Sequence, residues 1–179
     1  MEPDTEMTPG MSPDMMTDSS GMSTGGHGGM AMMPSMALVE LSEVTHTAVQ
    51  SGDWSDPNTW SGQSVPDAAA RVHIPGGIAV RVDGELAPEL KTVRVDGTLA
   101  FATDVNTELR VDTLVTTKTG ALVIGTEAAP ISEDVTAHIV FADDGAIDQS
   151  WDPGLISRGA LLHGETSIFG AEKLAFAAL

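Results

Sequence analysis

From Pro66 onward, apolar and polar residues alternate in short runs. RVHI, IAVRVDG, KTVRVDG, LRVDTLV, GALVIGT, AHIVFADDG, GALLHG and SIFG follow one another with turn formers between them. Val80 and Val82 flank Arg81, and Val93 and Val95 flank Arg94, which is the two-residue period of a half-buried β-strand. No window holds an i, i+3, i+4, i+7 apolar stripe for three turns, so the pattern predicts an all-β body.

The strands also repeat. Arg81-Val82-Asp83-Gly84 recurs as Arg94-Val95-Asp96-Gly97 and, degenerately and after a slightly longer interval, as Arg110-Val111-Asp112-Thr113. Similar units at unequal spacing predict a right-handed parallel β-helix, a solenoid whose rungs stack these strands and vary their loops. A β-sandwich is the alternative, but it would need tight hairpin turns between neighbouring strands. Gly97, Gly120, Gly125, Gly145, Gly159, Gly164 and Gly170 fall between the runs, where positive φ or close backbone approach is expected.

Residues 1–37 have a different texture. All ten Met and six of the 19 Gly precede residue 37, among Ser, Thr, Pro and Asp without an apolar period. Such a segment cannot bury enough surface to offset its ordering entropy, so 1–37 reads as a disordered leader and 38–179 as the folded domain. ALVELSEVTHTAV then reads as an entry strand or a capping segment. The next stretch, SGDWSDPNTWSGQSVP, is a turn-rich loop carrying Trp54 and Trp60. Its indoles suit two tasks: covering the end of the hydrophobic core, or stacking as a ligand platform on a sugar ring.

Charge narrows the partners. The chain carries net −18, and with five of its 26 acids in the leader and all eight Lys and Arg beyond it, the body retains −13. That balance excludes nucleic acid, whose binding needs clustered cations, and it fits both a salt-rich setting and an ordinary acidic exported protein. With no Cys, disulfides and thiolate metal sites are excluded. No apolar run reaches the length of about 18 residues that a membrane span needs. The start lacks signal-peptide chemistry, which leaves either an amino terminus further upstream or a cytoplasmic protein, and the last residues, which resemble an uncapped strand, favour a fragment of a longer exported protein.

Two metal sites are conceivable. Asp143, Asp144 and Asp148, with Asp152 close by, crowd one loop and offer hard oxygen ligands to calcium, although the spacing is not that of an EF-hand. In the leader, Met30, Met32, Met33 and His27 supply thioethers and an imidazole, soft donors suited to Cu(I).

The ordered blocks WSDPNTW, VPDAAARVHIPGGIAVRVD, LKTVRVDGTLAF, LRVDTLVTTKTGALVIGTEAAPI, HIVFADDG and RGALLHGETSIFGAEK resemble the G-eight domain over about residues 52–175. The resemblance implies a β-helical module of extracellular or cell-surface proteins, cell-surface hyaluronidase-like proteins among them, concerned with binding or processing glycans. It would commonly precede a longer β-helix. Any enzymatic activity would be that of a polysaccharide-degrading hydrolase in the full-length protein. No complete catalytic set matches, and position within the family blocks alone selects Asp56, Asp67, Asp152 and His163 as candidates. The acidic body would repel a long polyanion such as hyaluronan, so a neutral glycan, or one bridged by calcium, is the easier partner. A purely structural capping or adhesive segment is the competing function.

Overall fold

The structure, a computed structural model, describes residues 33–143 and 145–172. Eleven strands form among them: β1 (His46–Thr47), β2 (Gly52–Asp53), β3 (Arg71–Ile74), β4 (Ala79–Val82), β5 (Glu85–Val95), β6 (Thr98–Phe101), β7 (Thr107–Thr116), β8 (Ala121–Ile124), β9 (Ala137–Phe141), β10 (Gly159–Leu162) and β11 (Glu165–Ile168). One sheet runs β1-β3-β5-β7-β10, with β9 also paired to β7, and the other runs β11-β8-β6-β4-β2. Every pairing between these strands is parallel. The body is all-β as expected, and the hairpins of a sandwich have no counterpart among the described strand pairs.

Parallel neighbours cannot be joined by a tight turn and need a crossover. Here a strand of the other sheet serves as the crossover, since from β1 to β8 successive strands alternate between the two sheets. Val72 pairs with Val93 and Val93 with Leu114, two equal steps along the chain. In the other sheet Val80 pairs with Leu99 by a slightly shorter step, and Leu99 with Leu122 by a slightly longer one. These six side chains are buried in one core with Ile74, Val82, Val95, Leu109 and Val111.

The two long strands change phase midway. In β5 the core takes Leu90 and then Val93, and in β7 it takes Val111 and then Leu114, a step of three where alternation requires two. Each strand therefore bends there, and β9 pairs with the first half of β7 while β10 pairs with the second.

The RVD repeat is not the stacking unit that its spacing suggested. Val82 pairs with Phe101, Val95 with Ile74 and Thr116, and Val111 with Leu90 and Phe141, so no copy lies beside another. What the copies share is a bend. In each, Val faces the core, Asp begins the change of direction, and the next Leu (Leu86, Leu99 or Leu114) returns to the core or packs against it. The repeat marks successive corners, and the true stacking period is the longer one set by the strand register.

Glycine matters at one column of corners. Gly97, Gly120 and Gly164 each precede a strand of the second sheet, and a Cβ there would collide with backbone carbonyls: those of Pro75 and Ile78, of Val95, and of Thr117 and Gly120 respectively. Gly125 and Gly145 have positive φ. Gly159 and Gly170 have neither feature, and a Cβ at either meets nothing within 4 Å, so the expectation for those two is corrected.

The ordered chain also extends before residue 38. Pro34–Ala37 form one helical turn (α1) in which Ser35 is buried, and Leu38 and Val39 pack on Val115 with Met36, Trp151, Ile156 and Leu161 around them. Val115 belongs to the strand face opposite Leu114. The segment thus covers the outer side of the first sheet.

Candidate functional site

The two loop tryptophans have no face free for a sugar. Trp54 and Trp60 are each 1% exposed, with ring centroids 4.8 Å apart in an edge-to-face arrangement, and Trp60 Nε1 donates to the Trp54 carbonyl at 2.8 Å. They belong to the core, and the ligand-platform expectation is corrected accordingly.

The carboxylates singled out from the sequence hold loops together. Asp56 caps the short helix Pro57–Thr59, its Oδ1 accepting from the Asn58 amide and Nδ2 at 2.9 Å each. Asp67 is exposed, and its carbonyl closes the turn to Ala70. Asp152 is buried and accepts from the Ser157 amide at 2.8 Å. Burial opposes its ionisation, but hydrogen bonds from the backbone of Ser157, Ile156 and Gly154 prevail and hold the carboxyl below its ordinary value. That is the reverse of what a general acid requires. His163 lies apart in sequence and fold, at the end of β10.

No calcium cradle forms from the described residues. Asp143 meets Arg158 at 3.1 Å with its carboxylate in solvent, and Asp148 accepts from the Ser150 amide and hydroxyl, which lowers its pKa. Asp144 lies outside the described residues. Among the described residues, no three His, Cys, Asp or Glu side chains gather as cation ligands. Of the soft-donor set, Met30, Met32 and His27 lie outside the described residues. Met33 is described, and it shares a cleft with Met36 and His163.

That cleft encloses about 530 Å³. Arg94 and Asp96, from the end of β5, and Thr117, Lys118 and Thr119, from the turn after β7, line it together with His163. Asp96 is the organising group. Its Oδ2 meets His73 Nε2 at 2.8 Å and Arg94 Nε at 3.1 Å. Burial pushes its pKa up, but hydrogen bonds from His73, Arg94 and Thr117 outweigh that and hold it below the usual carboxylate range. The Arg94 guanidinium also donates to the Val39 carbonyl, and His163 Nε2 meets Ser35 Oγ at 2.8 Å, so the amino-terminal segment is tied to both walls. Lys118 is exposed and makes no ion pair among the described residues.

The cleft thus gathers two of the eight Lys and Arg, an imidazole and two hydroxyls beside one carboxylate, in a chain of net −18. It can present hydrogen-bond donors to the oxygens of a ligand. Sequence reasoning selected only His163 and Met33 of this set. Arg94 is legible as the polar residue between two core valines and Lys118 as a turn residue, since only the register brings them together.

Asp96 and Asp152, both with lowered pKa, make stability acid-sensitive. Their contribution is present above the unfolded carboxylate value of about 4 and is lost as pH falls through the lower folded values. Thermal melts from pH 6 to 2 should show wild type losing Tm more steeply than Asp152→Asn, which starts lower. Parallel slopes would contradict this.

The described residues contain no helix long and apolar enough to cross a membrane. A family model, that of the G8 domain, matches residues 59–179. Comparison with curated proteins and with solved structures gives no match.

Proposed function

The chain belongs to the G8 domain family, a module found in extracellular proteins, and from that membership we propose that it is a non-catalytic glycan-recognition module exposed outside the cell. The scaffold in this proposal is a right-handed parallel β-helix. Support comes from the near-constant step between stacked strands and from the strong preference of parallel crossovers for the right hand. The folded domain in this proposal takes in α1 (Pro34–Ala37) ahead of the 38–179 span read from the sequence.

The observation that carries the proposal is the concentration of Arg94, Lys118, His163 and two threonine hydroxyls in one cleft of an acidic protein. Such a cleft draws oxygen-rich ligands locally, while the acidic remainder repels a long polyanion, so short saccharides are favoured over polymers such as hyaluronan. Binding without hydrolysis fits the carboxylates of Asp53, Asp96, Asp148 and Asp152, each of which is held below its ordinary pKa.

A glycan array probed with the whole chain tests this directly. A short saccharide should be retained, and Lys118→Gln should weaken it about tenfold, the loss of one charge-assisted hydrogen bond worth about 1.5 kcal/mol. Absence of binding to every glycan, with and without calcium, would favour the structural capping role instead.

A further inference from the structure

A second, smaller cavity of about 120 Å³ lies under the loop between β9 and β10 and shares no lining residue with the cleft. Lys91 and Asp112 form its floor, at the bends of β5 and β7. The Lys91 ammonium meets Asp112 Oδ2 at 2.8 Å, Thr113 Oγ1 donates to Oδ1 at 2.6 Å, and the Asp112 side chain is 3% exposed. Trp151 packs against this pair, with Lys91 Nζ 4.4 Å and the Arg71 guanidinium 5.7 Å from its ring centroid. Arg158 completes the wall, its amide donating to Thr113 Oγ1 at 3.1 Å.

Donors outnumber acceptors here. Trp151 Nε1 is buried and donates to no acceptor among the described residues. An indole N–H can only donate, and leaving it unpaired is destabilising, so its partner must bring a lone pair. Of the acidic side chains of the lining, Asp112 is engaged through both oxygens, and Asp148 through Oδ1, which accepts from the Ser150 amide and hydroxyl. Arg158, only 18% exposed, carries five N–H donors, and its ion-pair partner Asp143 stands 94% exposed at the rim. The volume equals about four waters at about 30 Å³ each, enough for a carboxylate with a few attached atoms.

We propose that this cavity is a carboxylate-binding site, in which Trp151 Nε1 and the Arg158 guanidinium hold the two oxygens and Arg158, whose partner Asp143 stands in solvent, supplies the balancing charge. The proposal is independent of the glycan cleft. A free small acid and the carboxylate of a uronic acid share this chemistry.

The test follows the three indole N–H resonances of ¹⁵N-labelled whole chain at constant ionic strength, assigned with Trp151→Phe, during titration with acetate, glucuronate or glucose. The Trp151 signal should move saturably with glucuronate, while those of Trp54 and Trp60 stay still and glucose has no effect. Movement with acetate as well identifies a general carboxylate site, and movement with glucuronate alone identifies a saccharide site. Arg158→Gln should weaken the response at least tenfold, and Lys118→Gln in the cleft should leave it unchanged, which separates this failure from failure of the glycan proposal. No saturable movement with either carboxylate would mean that water alone meets the indole and would overturn the proposal, as would an equal response to glucose.

Discussion

Trp60→Ala should lower the unfolding free energy by about 3–5 kcal/mol, as for other buried Trp truncations, while leaving ligand binding at the cleft unchanged. Trp60 is 1% exposed and contributes both packing and a hydrogen bond to the Trp54 carbonyl, so the variant leaves a cavity and an unpaired acceptor together. The Trp54→Ala and double variants should be less than additive, because the edge-to-face pair is worth about 0.5–1.5 kcal/mol beyond its burial. Urea titration measures each. A loss under about 1 kcal/mol for Trp60→Ala would place the indole in solvent and restore the stacking platform.

Gly120→Ala carries the second large effect. A Cβ at this corner meets the Val95 carbonyl, which is backbone and cannot swing aside, with the same crowding at Gly97 and Gly164 in the adjacent corners. The expected loss is about 3 kcal/mol, at the upper end for overpacking. Gly159→Ala is the matched control: its Cβ meets nothing within 4 Å, so stability should stay within about 0.5 kcal/mol. Equal effects at the two positions would mean that glycine is needed at the corners for a reason other than close approach.

Local pattern and long-range register divide what a sequence can display. The runs RVHI, AVRV and ALVI become β3, β4 and β8, because alternation reports which side chains face the core and needs no long-range information. Register does need it. The RVD copies follow one another closely because they recur at corners, whereas stacking follows a longer step that leaves no matching string, since Val72, Val93 and Leu114 need only be apolar. Glycines behave likewise, as Gly120 and Gly159 look alike in sequence and differ only in what lies opposite.

The same limit explains the site. Asp56 and Asp152 stand out among turn formers because they cap turns, which is a structural use of an acidic side chain. Arg94, Lys118 and His163 lie far apart along the chain and converge only once β5, β7 and β10 are neighbours. Burial of the Trp54 and Trp60 pair depends on the loop folding inward, and Trp151, which lines the smaller cavity, sits in an acidic turn with no distinguishing pattern.

The recognition site proposed here is the cleft between the amino-terminal segment and the end of β5, and not the Trp54 and Trp60 loop. Backbone amide shift mapping with a short saccharide retained by the array tests that assignment most directly. Saturable shifts are expected at Arg94, Asp96, Thr117, Lys118, Thr119 and His163, with Trp54 and Trp60 unmoved. Shifts confined to residues 54–60 would contradict it.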